Sequence, residues 1–101
     1  MSDLPVACTL GPAAIKARRD DLLGGLFRRA EERRELANGY QVRFPSNEGM
    51  LAAIASVVEL ERQCCRFLRF EITVDPDGGS IWLALTGPSG TREFLDGMLD
   101  L

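Results

Sequence analysis

The spacing of apolar residues changes several times along this chain, and each change marks an element. From Pro12 to about Ala30, the residues Ile15, Leu22, Leu23, Leu26, Phe27 and Ala30 recur at three- and four-residue intervals with charges opposite them. That spacing predicts an amphipathic helix. Pro12 suits its first position, where a missing donor would be unpaired anyway. Gly24-Gly25 weakens the helix and predicts a kink or a close backbone approach. From Glu32 the period becomes two. Tyr40, Val42 and Phe44 alternate with Gln41 and Arg43 after Asn38-Gly39, a pair that tolerates the positive φ of tight hairpin turns. Strands are therefore expected at about 32–36 and 39–44, and the first of these reads alternatively as the last turn of the helix.

Pro45 stops the second strand, and Ser46 or Asn47 is expected to cap a long helix over about 47–66. Its inward stripe takes Met50, Leu51, Ile54, Val57, Val58, Glu61, Cys64, Cys65 and Leu68, while Glu59, Arg62, Gln63 and Arg66 point outward. Phe70, Ile72 and Val74 then alternate with polar neighbours up to the turn sequence Asp75-Pro76-Asp77-Gly78-Gly79. Ile81, Leu83 and Leu85 form the partner strand, and Gly87-Pro88-Ser89-Gly90 leads to a last helix over 91–99. Ahead of all these, Pro5 to Leu10 reads as a short extended segment within residues 1–11, with Val6, Cys8 and Leu10 on one face.

Gly39 to Ser46 and Gly79 to Thr86 each follow a tight turn and each feed a helix, a faint internal repeat. The chain reads as one α+β domain over residues 1–101. Two hairpin-plus-helix units join into one antiparallel sheet, with helices packed on one face. The other face is left partly bare, with Trp82 and Tyr40 expected on it, and homodimerisation through that face is the expected remedy.

Composition narrows the partners. Apolar residues make up 46% and charged residues 27%, as in an ordinary globular domain. Fifteen acidic against twelve basic residues give a net charge of −3, which argues against nucleic acid. The arginine pairs Arg18-Arg19, Arg28-Arg29 and Arg33-Arg34 alternate with Asp20-Asp21 and Glu31-Glu32, the pattern of a solvated, self-paired face. No apolar run approaches the length that spans a bilayer and no secretory signal is read, so a cytoplasmic protein is expected. The chain contains no histidine, which removes every histidine-based nucleophile, general base and mixed Cys/His zinc site.

Three cysteines remain: Cys8, Cys64 and Cys65. Their odd number, in an expected cytoplasmic protein, points to thiols rather than a disulfide framework. Cys64-Cys65 lacks the Cys-x-x-Cys spacing of zinc and thioredoxin-like sites, and no fourth thiol exists for a four-cysteine zinc site. Glu61 falls on the same helical face, one turn earlier. If the early extended segment docks against this helix end, three sulfurs and a carboxylate meet. Such a donor set suits a thiophilic ion: mercury(II), arsenic(III), cadmium or copper(I). Arg62, Arg66 and Arg69 would lower the thiol pKa and balance a thiolate cluster. Glu61 itself would rise in pKa if desolvation dominates and fall if an arginine pairs with it.

Two other readings compete. Cysteine packs well as a small hydrophobe, so all three could be inert core of a dimeric interaction domain. Thiols with a carboxylate also suit an enzyme acting on organometal or redox substrates, with Glu61 supplying the proton.

The stretch Glu61-Arg62-Gln63-Cys64-Cys65-Arg66-Phe67-Leu68-Arg69-Phe70, with Cys8-Thr9-Leu10 near the start, resembles a small, poorly characterised bacterial family. Its members carry an N-terminal Cys-x-Leu and a Glu-x-x-Cys-Cys-x-Phe-x-x-Phe block, and often accompany heavy-metal resistance regulators. The resemblance implies metal or metalloid handling and transfers to Cys8, Glu61, Cys64, Cys65, Phe67 and Phe70. It does not imply a complete regulator, because no helix-turn-helix or winged DNA-reading segment is read in this sequence.

Overall fold

A four-stranded antiparallel sheet carries this domain. In the computed structural model residues 24–99 are described, and of these the side chains of 24, 64 and 97–99 are not. The described elements are α1 (Gly24–Phe27), β1 (Glu32–Leu36), β2 (Gly39–Phe44), α2 (Met50–Cys64), β3 (Arg69–Val74), β4 (Ile81–Thr86) and α3 (Thr91–Leu99). The strand order is β1-β2-β4-β3 with every neighbour antiparallel. The expected Pro5–Leu10 segment and the helix before residue 24 lie outside the described residues.

The internal repeat survives as geometry. Glu32 pairs with Arg43 in the first hairpin, and the positions 40 residues later, Ile72 and Leu83, pair in the second. The two hairpins meet through β2 and β4, with Gly39 opposite Thr86 and Phe44 opposite Ile81. Gly39 makes this seam close, since a Cβ there would overlap the Leu85 carbonyl. The second hairpin turns at Asp77 and Gly78, both at positive φ (58° and 70°), the conformation that matches strand twist in a two-residue loop.

Period-two alternation sorts the sheet into two faces. Tyr40, Val42, Phe44, Ile81, Leu83 and Leu85 are buried on the inner face and join Met50, Ile54 and Val57 of α2 and Leu95 of α3 in one core. On the outer face Trp82 lies beneath Arg34 and Arg43, whose guanidinium carbons are 4.5 and 5.9 Å from the ring centroid. The Trp82 indole N–H donates to Asp75 at 3.3 Å. Tyr40 therefore belongs to the inner face, not the outer one: it shares the alternation of Val42 and Phe44, and its hydroxyl donates to Asp96 of α3.

Helix α2 departs from expectation at both ends. It starts at Met50 rather than near Asn47, because the Asn47 carbonyl accepts from Met50 N–H (3.0 Å) and Gly49 turns left-handed at φ 82°. Neither Ser46 nor Asn47 caps it, as no side chain does. Leu51 is on the surface, 43% exposed, instead of in the inward stripe, because it falls roughly a quarter-turn from the line of Met50, Ile54, Val57 and Glu61. The helix ends at Cys64, and Cys65 adopts φ −111°, ψ 76°. Among the described residues no helix is long and apolar enough to cross a membrane.

Candidate functional site

Glu61 sits one turn before the end of α2, on the stripe that holds Met50, Ile54 and Val57 against the sheet. That register sends its carboxylate into the core, where the residue is 0% exposed. Cys65 follows as the residue after the helix, its N–H donating to the Glu61 carbonyl at 2.7 Å. The turn then closes with Leu68 N–H on the Cys65 carbonyl at 3.1 Å. This fold-back keeps the Cys65 side chain inside, also 0% exposed, with its Sγ 3.9 Å from Glu61 Oε1. A thiol and a carboxylate thus share one buried place at the C-terminal end of α2.

Two aromatic residues fix the turn that follows Cys65. Phe67, in the turn after Cys65, is buried and meets Phe94 of α3 edge-on, with centroids 5.0 Å apart. Phe70 packs partly buried against the core. On the far side of Phe67, Gly87 leaves no room for a side chain: a Cβ would lie 2.6 Å from Thr91 Oγ1 and 3.1 Å from the Phe67 carbonyl. Thr91 is itself buried and donates to the Pro88 carbonyl at 2.6 Å. Helix α3 and its approach loop therefore brace the turn that carries Cys65.

The structure brings together Glu61 and Cys65 of the four residues expected at the site. Cys8 lies outside the described residues, and so does the Cys64 side chain. Among the described residues no group of three cysteine, aspartate or glutamate side chains is placed to hold a metal. The expected arginine helpers are elsewhere. Arg62 is exposed and 3.5 Å from Glu59, Arg69 is exposed and 3.8 Å from Glu71, and Arg66 is exposed. The helix stripe that turns Glu61 inward turns Arg62 outward. The outward placement of Glu59, Arg62, Gln63 and Arg66 follows the sequence pattern.

Sequence reasoning passed over one polar pair near this region. Tyr40 and Asp96 are 56 residues apart and join β2 to α3. Arg92 adds a bond to the Leu36 carbonyl at 3.4 Å and lies 3.8 Å from Glu35. The usable signal was the tyrosine in an otherwise aliphatic stripe, since a buried hydroxyl needs a partner.

Comparison with known proteins returns no match: no family model, no curated protein and no solved structure matches this chain.

Proposed function

We propose that this domain binds a soft metal or metalloid ion, with Cys65 and Glu61 as the buried part of the site and Cys64 and Cys8 as its further thiol donors. One observation carries the reading: a carboxylate and a sulfur, each fully buried, 3.9 Å apart at the end of a helix. Packing alone favours an apolar residue at position 61, because desolvating a carboxylate costs several kcal/mol. The exposed backbone carbonyls at a helix C-terminus favour positive charge. Sulfur donors with one carboxylate and no histidine select thiophilic ions such as mercury(II), arsenic(III), cadmium and copper(I) over zinc or magnesium. The resemblance of the Glu61-to-Phe70 block to proteins that accompany heavy-metal resistance regulators points the same way.

The test is thermal unfolding of the full chain with mercury(II) or arsenite. At an ion concentration about 100 times Kd, binding stabilises by about 2.7 kcal/mol. For a domain of this size that raises Tm by roughly 10–20 °C. Glu61→Gln weakens affinity about 10- to 100-fold, as loss of a group supporting a metal ligand does. The Cys64→Ser, Cys65→Ser double variant abolishes the shift. No shift in the wild-type protein, or an equal one in the double variant, overturns the proposal and leaves the cysteines as inert core.

A further inference from the structure

The two edges of the sheet differ in a way that identifies an interface. Asp75 N–H donates to the Ser80 carbonyl at 3.0 Å, continuing the β3–β4 register, and so places the odd-numbered residues of β3 against β4. Gly87 N–H donates to the Asn38 carbonyl at 3.2 Å in the β2–β4 register, which turns the odd residues of β4 toward β2 and its even residues toward β3. Both bonds give the same parity. The N–H and C=O groups of Phe70, Ile72 and Val74 therefore point to the open side of β3, which among the described residues pairs with β4 alone.

The side chains of these three residues lie on the core face, yet Ile72 is 37% and Val74 53% exposed. The opposite edge, β1, presents Arg33 and Glu35 outward, both exposed, and charges at an edge block strand addition. β3 offers β-branched apolar residues instead.

We propose that two copies of this chain pair antiparallel through β3, about a two-fold axis at Ile72, to form a continuous eight-stranded sheet. This register sets Ile72 opposite its own copy, Phe70 opposite the partner's Val74, Glu71 opposite the partner's Thr73, and Arg69 opposite the partner's Asp75. Apolar residues face apolar ones and the charged ends face opposite charge. Moving the axis to Glu71 sets two glutamates opposite each other, and moving it to Thr73 sets Glu71 opposite Asp75. Like charges directly opposite destabilise a pair of strands, so the Ile72 axis is selected. Its three narrow pairs exchange about six backbone hydrogen bonds. This seam does not depend on metal binding.

Sedimentation equilibrium of the full chain tests the proposal. A dimer with Kd in the micromolar range is expected. Val74→Lys, at an exposed position that leaves the monomer folded by circular dichroism, raises Kd at least about tenfold, because lysine at an edge opposes pairing. Ile72→Cys crosslinks to itself on mild oxidation, since paired Cα atoms about 5.5 Å apart suit a disulfide. Thr73→Cys, opposite the partner's Glu71, does not, with wild-type protein run in parallel to account for the native thiols. A monomer at every concentration overturns the proposal. So does a dimer that survives Val74→Lys but is lost in Trp82→Arg, which moves the interface to the outer face, and so does equal crosslinking at positions 72 and 73.

Discussion

Replacing Tyr40 with phenylalanine removes one oxygen atom from the seam between β2 and α3 and nothing else. The hydroxyl donates to Asp96, and a hydrogen bond to a charged acceptor contributes about 1.5–3 kcal/mol when fully buried. Asp96 is half-buried, so water recovers part of this, and the expected loss is about 1–2 kcal/mol. In a domain of this size that lowers Tm by roughly 5–15 °C. The pH profile isolates the bond. The Asp96 hydrogen bond, then burial, then the charges of Asp96 and Glu35 push Tyr40 up to about 12 from 10.0, with Arg92 opposing. A raised pKa means that the folded state holds the phenolic proton more tightly than the unfolded state. The Tyr40 contribution is thus complete below about pH 10 and is lost as pH climbs through about 12. Urea unfolding followed by Trp82 emission measures it, because Trp82 is the chain's one tryptophan. Groups that do not touch Tyr40 are common to both proteins and cancel in the difference. A Tyr40→Phe protein within about 0.5 kcal/mol of wild type at neutral pH would refute the reasoning. So would a difference that does not shrink in strong alkali.

Two further outcomes follow from the same packing. Gly87→Ala forces a methyl group to 2.6 Å from Thr91 Oγ1 and against the Phe67 carbonyl, so it costs roughly 1–3 kcal/mol in urea unfolding. It also loosens the turn behind Cys65, detected as faster reaction of the native protein with a thiol reagent. Glu32 is held below the usual 4.5 chiefly by its hydrogen bond from Arg34, with the charges of Arg34 and Arg43 adding to it and burial opposing. Its contribution is complete above pH 4.5 and disappears as pH falls through the lowered value. A carboxyl-resolved NMR titration with a Glu32 midpoint at or above 4.5 contradicts this ion pair.

What the sequence made legible was local. The strand boundaries at 32–36 and 39–44 and the last helix at 91–99 are where alternation and turn residues place them, because each depends on neighbours a few positions away. The start of α2 was misplaced because two signals conflict: Asn47 is a good cap by side chain, but here its backbone carbonyl closes the turn and Gly49 supplies the left-handed residue. The helical period set Glu61 on the inward stripe but left a place at the helix edge open, and the fold buries it. The partner of Tyr40 was not legible, since nothing near position 40 indicates that residue 96 will return to it. The exposed Arg62 and Arg66 lie where the helical pattern put them, on the outward side.

On the proposed ion-binding reading, the two hairpin-plus-helix units differ where the site lies. They pair in matching register, yet α2 runs 15 residues and α3 only 9. Met50, Ile54 and Val57 of the longer helix and Leu95 of the shorter belong to the core, and the longer helix continues for a further turn. That turn holds Glu61 and Cys64 and leads to Cys65. Its most buried side chain is a carboxylate, the type least suited to a core. On the proposed reading, ion binding accounts for that choice of residue. On that reading Glu61→Leu is expected to abolish the mercury(II) response, and a variant that retains the response would detach Glu61 from the site.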